Sequence, residues 1–240
     1  MSASGDNTPL QLSLDFPRPA PALDELAVSP SNAGAVARLK QSRDWPIAAM
    51  ALIGPPQSGL TTLAAAWAGR SGGYHLSPER FESLSPGEVD SLATRNTAID
   101  PAGGLGDEAR LLSLINQVGA RGGRLLLTAN TPPSQWPVYL EDLGSRLRSM
   151  PVAEIRAPDD AMIRARLMAA CSRYFFRLPE DVANFLVLRL PRNYSLLEHY
   201  VQRLAGTVTG SGRDLTLPLA REVLRLELGS DDDDTQEEEG

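Results

Sequence analysis

The chain has 240 residues, with 23 Lys plus Arg against 30 Asp plus Glu and a formal net charge of −7. Seven of those acids lie in the last ten residues, DDDDTQEEEG, so the rest of the chain balances at 23 acids and 23 bases. A neutral body excludes tight, nonspecific DNA binding through bulk charge, and one cysteine excludes an intramolecular disulfide framework or a cysteine zinc site.

The basic side is lopsided, because Lys40 is the only lysine and every other base is arginine. His75 and His199 are too few and too far apart in sequence for a histidine metal cluster. No apolar run approaches the roughly 18 residues that a bilayer span needs. The N-terminal MSASGDNTPLQLSLDF lacks the basic-then-apolar order of a signal peptide. A cytoplasmic protein without a membrane segment is the expectation.

Residues 1–22 are rich in Ser, Pro and Asp around one apolar island, Gln11–Phe16, and read as a flexible arm. A short helix is predicted over residues 31–41. Ile47–Ile53 is a continuous apolar run that stops at Gly54-Pro55-Pro56, the pattern of a buried parallel strand. Thr61–Arg70 reads as a helix ending near Gly72-Gly73, and Tyr74–Leu76 as a short strand. A further strand, Arg95–Asp100, ends in an acid. Leu111, Leu112, Leu114 and Ile115 give Asp107–Val118 helical spacing. Arg124–Ala129 is a buried strand, Leu140–Arg148 a helix and Val152–Arg156 the last strand.

Strands alternating with helices predict a parallel α/β sheet. From Pro158 the strands stop. Asp159–Phe175, Pro179–Leu190, Tyr194–Leu204 and Leu217–Leu226 read as helices, the first capped by Asp159 or Asp160. The expected organisation is an arm (1–22), an α/β nucleotide-binding-like domain (23–157), a small all-α domain (158–228) and an acidic tail (229–240). Cys171 falls on the lid helix beside Ile163, Leu167 and Ala170, as a core residue. Tyr174-Phe175-Phe176 is expected to anchor the same core, and Trp45, Trp67 and Trp136 to serve packing.

The loop Gly54-Pro55-Pro56-Gln57-Ser58-Gly59-Leu60-Thr61-Thr62 lies between a strand and a helix. That is the setting of a Walker A loop, G-x-x-x-x-G-K-[ST], whose backbone N–H groups cradle phosphates. Gly54, Gly59 and Thr61 keep the spacing. Leu60 stands where the lysine should neutralise the β- and γ-phosphates, and a leucine cannot do that. Asp100 ends a strand as a Walker B acid would, placed to hold Mg²⁺ with Thr61. Pro101 follows it where a second acid usually polarises the attacking water. Glu108 reads as a structural or interface residue.

Taken together, LAVSPSNAGAV, Trp45-Pro46, GPPQSG, AID, DEARLLSLIN, RLLLTANTPP, LEDLGSRL and a lid opening on APDD resemble the AAA+ module of the bacterial initiator DnaA. The resemblance spans about residues 24–227 and is strongest to the Hda-type regulators of that family. It implies an AAA+ P-loop fold with a helical lid. The chain stops where an initiator would continue into a helix-turn-helix domain, so no direct sequence-specific DNA binding is expected.

Further roles come with the resemblance. Gln11-Leu12-Ser13-Leu14-Asp15-Phe16 matches the Q-L-x-L-x-F peptide that docks on the sliding clamp, the beta subunit of DNA polymerase III. Leu14 and Phe16 would fill an apolar cleft, and Gln11 would orient the peptide. Val28 and Asn32 fall in the segment that lines the adenine pocket, and Asn130 at or near sensor 1. Ser145-Arg146-Leu147 matches the arginine-finger element, with Arg148 as the neighbour to exclude. Sensor 2 should be an arginine where Ser195 stands. ADP or ATP with Mg²⁺ is the implied cofactor, its binding weakened by Leu60 and Ser195.

The expected function is negative regulation of replication initiation: clamp docking, then stimulated hydrolysis of DnaA-bound ATP through Arg146. The alternatives are a non-catalytic paralogue tethering DnaA at the clamp, and an autonomous P-loop ATPase with a substitute cation. A helicase-loader role fits the clamp peptide poorly, and a homo-oligomer remains open.

Overall fold

The computed structural model describes residues 21–228 of the chain. Five parallel strands form one sheet: β1 (Ala49–Ile53), β2 (Tyr74–Leu76), β3 (Asn96–Ile99), β4 (Arg124–Ala129) and β5 (Val152–Glu154). Their spatial order is β2-β3-β4-β1-β5. β1 is buried at all five positions because it lies between two neighbours and under helices on both faces. Ala49, Ala51 and Ile53 point into one apolar layer with Leu125 and Leu127. Met50 and Leu52 point into the other with Leu126 and Ala153. Two buried faces explain why these strands read as unbroken apolar runs.

Helices α1 (Ala33–Lys40) and α2 (Leu60–Gly69) supply the second layer. There Trp45 stacks on Trp67 with ring centroids 5.4 Å apart. The first layer is covered by α3 (Pro78–Glu82), α4 (Pro86–Leu92), α5 (Glu108–Arg121) and α6 (Glu141–Arg148). Trp136 also packs in this layer and donates from its indole to Thr131 O at 3.0 Å. All three tryptophans therefore serve packing, as expected.

Helices α3 and α4 are absent from the sequence reading, although their start signals are present. Ser77 and Ser85 each cap the helix that follows, each with proline in the first turn. Ser85 and Glu88 complete a reciprocal capping box. Both helices are too short to show an apolar period, so capping residues were the available signal.

The C-terminal helices are α7 (Asp160–Arg173), α8 (Glu180–Arg189), α9 (Tyr194–Ser211) and α10 (Leu217–Leu228). They enclose a separate core that includes Ile163, Leu167, Leu186 and Leu204. α9 runs seven residues beyond the expected Leu204. Burial of Val208 and back-bonding of Thr209 Oγ1 to Ala205 O at 2.8 Å outweigh the poor propensity of its Gly and Thr residues. Cys171 is buried, and burial pushes its thiol up to about 11.

The aromatic trio behaves differently from the expectation. α7 ends two residues early, and Phe175 adopts φ 58° while the Phe176 N–H reaches back to Cys171 O at 3.1 Å. That left-handed closure turns the chain. It leaves Phe175 96% exposed and sends only Phe176 toward the core. Among the described residues, no helix is long and apolar enough to cross a membrane.

Asp159 joins the two parts. Its carboxylate accepts the Met162 N–H at 2.8 Å, capping α7, and the Ser31 N–H at 2.7 Å from the α/β part. Partial burial works to raise this carboxyl, but the Met162 and Ser31 donors outweigh it and hold its pKa below the usual value. Asp160 instead pairs with Arg192 at the surface. Asp159→Ala should therefore cost about 1–2 kcal/mol of urea-unfolding stability at neutral pH, while Asp160→Ala should cost under about 1 kcal/mol. The Asp159 contribution should fade as pH falls below about 4 through its lowered native pKa.

Candidate functional site

The parallel strands all deliver their C-terminal ends to one edge of the sheet. The loops after β1, β3 and β4 meet there in a cleft of about 400 Å³, closed on one side by α7 and α9. The loop after β1 is the phosphate-loop sequence, and residues 55–62 all line this cleft.

Two glycines set the loop's shape. Gly59 has φ 102°, a conformation that glycine adopts without strain. A Cβ on Gly54 would lie 2.9 Å from Ser58 Oγ and 3.0 Å from Ile155 Cβ, so only glycine fits between the loop and the strand β5 exit. The buried Ser58 hydroxyl has no hydrogen-bond partner among the described residues. α2 begins at Leu60 without a side-chain cap. Its first-turn N–H groups are therefore open donors at the positive end of the helix, which suits an anion. Leu60 brings no charge, and its half-buried side chain packs on the core instead.

Asp100 lies across the cleft at the end of β3. Its side chain is 6% exposed. Thr128 Oγ1 donates to Asp100 Oδ1, and His75 Nε2 lies 3.4 Å from Oδ2. Thr61, which also lines the cleft, acts on the same carboxylate to lower its pKa. Burial works to raise the Asp100 carboxyl, but these partners outweigh it and hold the pKa below the ordinary value. The Thr61 hydroxyl and the Asp100 carboxylate thus adjoin, the oxygen pair that Mg²⁺ prefers. Pro101 also lines the cleft and brings no second acid. Among the described residues, no cluster of three or more His, Cys, Asp or Glu could by itself hold a metal. Any Mg²⁺ here would need oxygens from a bound phosphate.

Asn130 lines the cleft after β4, as the sensor-1 reading requires. Val28 and Asn32 do not line it. Val28 is 52% exposed. Asn32 is spent on its own turn, accepting the Ser29 N–H at 2.9 Å and donating to Ala27 O at 2.9 Å. Ser195 is exposed at the start of α9 and also lies outside the lining. Arg192 is tied to Asp160, so it does not stand in for a sensor-2 arginine.

Three residues were not foreseen. His75 contacts Asp100 through a strand pairing that linear sequence does not reveal. Arg166 and Arg173 of α7 reach the cleft from the lid, opposed by Glu198 of α9. Their spacing of seven residues, about two helical turns, puts both on one helix face but does not record what that face meets.

Away from the cleft, α6 carries two arginines. Arg148 Nη2 donates to Ser145 Oγ at 3.3 Å. Arg146 is exposed, and its guanidinium has no hydrogen-bond or ion-pair partner among the described residues. The start of α6 is fixed by Glu108. Its carboxylate accepts the Tyr139 N–H at 2.9 Å and the Leu140 N–H at 2.7 Å. Glu108 thus has a structural role, anchoring the two residues that lead into the helix that bears Arg146. The candidate clamp residues Gln11, Leu12, Ser13, Leu14, Asp15 and Phe16 lie outside the described residues, as does the acidic tail.

No protein-family model matches the chain. Among solved structures, domain III of the replication initiation protein DnaA from Thermotoga maritima is similar with a TM-score of 0.69 at 18% identity, over 87% of this chain and 97% of that one. AMPPCP-bound DnaA from Aquifex aeolicus is similar with a TM-score of 0.64 at 15% identity, over 82% of this chain and 68% of that one. A variant of Thermotoga maritima RuvB gives 0.62 at 16% identity, over 85% and 71%. The fold is therefore the AAA+ type, a parallel sheet flanked by helices and followed by C-terminal helices.

The Thr128 hydroxyl is fully buried and donates to a carboxylate. Thr128→Val should cost about 1–3 kcal/mol at pH 7. It should also raise the Asp100 pKa toward its unfolded value. The stability gap between the two proteins should be complete above about pH 4 and close as pH falls through the native pKa. Urea midpoints measured from pH 7 to pH 3 check this.

Proposed function

We propose that this chain is a regulator of replication initiation that acts on DnaA-bound ATP rather than on its own nucleotide. The observation that carries the reading is the contrast between two sites. The cleft lacks its loop lysine and its second acid, with Leu60 and Pro101 in their places. The exposed Arg146, by comparison, stands on a helix whose approach Glu108 anchors, and its guanidinium has no partner among the described residues.

A free guanidinium on a rigid helix suits insertion into a neighbour's site. There it would stabilise charge on the γ-phosphoryl group as water displaces ADP, releasing phosphate. Glu108 positions the start of that helix. The peptide Gln11–Phe16 would bring the protein to the DNA-loaded sliding clamp, which accounts for a body with no charge surplus for DNA. In its own cleft, a bound ADP would rest on the loop N–H groups and serve structure. Mg²⁺, held there by Thr61 and Asp100 with phosphate oxygens, would neutralise phosphate charge.

Arginine fingers are worth on the order of 10³–10⁵ in turnover. Arg146→Ala should therefore abolish stimulated hydrolysis of DnaA-bound ATP in the presence of clamp-loaded DNA, while Arg148→Ala should largely preserve it. Unchanged stimulation by Arg146→Ala would remove the finger, and binding without stimulation by the native chain would leave a tethering paralogue. Separately, a Gln11→Ala, Phe16→Ala double variant should lose recovery with the clamp in a pull-down. Equal recovery would remove the docking peptide.

A further inference from the structure

The cleft contains a cation that the loop does not supply. Arg166, on the first lid helix, donates from Nη2 to Ser58 O at 2.9 Å and lies 3.4 Å from Gln57 O. Its guanidinium lies 5.4 Å from the centroid of the Tyr194 ring. Tyr194 is 2% exposed, and its hydroxyl lies 3.4 Å from Ser31 Oγ. Ser31 in turn bonds the Asp159 cap of the same helix. The arginine is therefore oriented by packing and not merely long enough to reach the loop. Its Nη2 would lie 3.3 Å from a Cβ on Gly59, so it sits at the turn from which the open N–H groups of α2 project. Among the described residues it has no carboxylate partner, although Glu198 also lines the cleft. A guanidinium has five donors, and Nη2 alone is engaged with the loop.

We infer that Arg166 supplies the phosphate-neutralising charge lost at Leu60, so that nucleotide is held by a lid arginine instead of a loop lysine. This rests on the reading of the cleft as a nucleotide site. Arg166 differs from the expected sensor-2 position, which falls at Ser195 on α9. Arg173 lies about two turns further along the same helix face and adds a second cation to the cleft lining. The charge then arrives from the C-terminal helices and not from the loop, so phosphate binding would draw on the contact between α7 and the loop.

The test is titration of ADP and of adenosine, with Mg²⁺ present, onto the full chain and four variants: Arg166→Ala, Arg166→Lys, Leu60→Lys and Leu60→Lys with Arg166→Ala. Arg166→Ala should weaken ADP about tenfold to a hundredfold, the range of a charge-assisted hydrogen bond, and leave adenosine nearly unchanged. Arg166→Lys should retain most ADP affinity, and Leu60→Lys should restore it in the double variant. An equal loss for ADP and adenosine, with a lowered melting temperature, would make Arg166 a lid staple only and overturn the inference. So would ADP binding by the native chain that Arg166→Ala does not weaken. If the native chain fails to bind ADP but Leu60→Lys binds it, the inference falls and the nucleotide site stands. If no variant binds ADP, both fall.

Discussion

Everything functional in this fold depends on burying both faces of a five-stranded parallel sheet. β1 and the middle of β4 spend their side chains on two apolar layers, which leaves the polar groups of β4, Arg124 and Thr128, to its two ends. What remains is the edge where the strands end. Parallel strands send all their C-terminal ends there, and in open α/β sheets that edge is where ligands sit. Gly54, Asp100 and Asn130 come from three segments far apart in the chain, yet each follows a strand within this one sheet. Their meeting is a consequence of the parallel pairing of β1, β3 and β4.

The same constraint explains which deviations are tolerated. Leu60 can replace a lysine because the first residue of α2 can turn its side chain onto the core beside it. The loop's geometry does not need the charge. It needs the absence of a Cβ at Gly54, where Ser58 and Ile155 close in, and the left-handed turn at Gly59. Asp100 is held in place by its own chain, because Thr128 donates to its carboxylate and His75 lies close enough to bond it. On the proposed reading, the cleft takes an anion on the open N–H groups of α2 and draws its cation from outside the loop.

Strand and helix identity was legible wherever burial is complete, since a strand covered on both faces must be apolar throughout. The phosphate loop was legible because glycine spacing reports backbone geometry directly. Helices α3 and α4 were marked only by Ser-Pro starts, a weaker signal than a period of apolar residues. Phe175 misled because composition does not reveal which of three aromatics will occupy the turn that ends a helix. His75 and Arg166 were illegible for a different reason. Each acts across a tertiary contact, β2 against β3 and α7 against the loop, with no sequence spacing to record it. Val28 and Asn32 came from the resemblance alone, and the turn at residues 27–32 uses the asparagine for its own hydrogen bonds.

The one-lysine composition now acquires a structural sense. A lysine in a phosphate loop is a point charge on the loop itself, available whether or not the lid is closed. An arginine on α7 is available only when the lid lies against the loop, where Ser58 O and Tyr194 hold its fork. On the inference that Arg166 takes the lysine's place, affinity for phosphate depends on the contact between α7 and the loop, and by linkage phosphate favours that contact. Asp159 reinforces that contact, because one carboxylate caps α7 and accepts the Ser31 N–H from the α/β part. Arg146 stands on α6, whose approach Glu108 anchors within the α/β part, and Arg166 on α7 lies against the loop in contact with Ser58 O and the Tyr194 ring. On the proposed function, the first arginine is directed at another chain's nucleotide and the second at the chain's own.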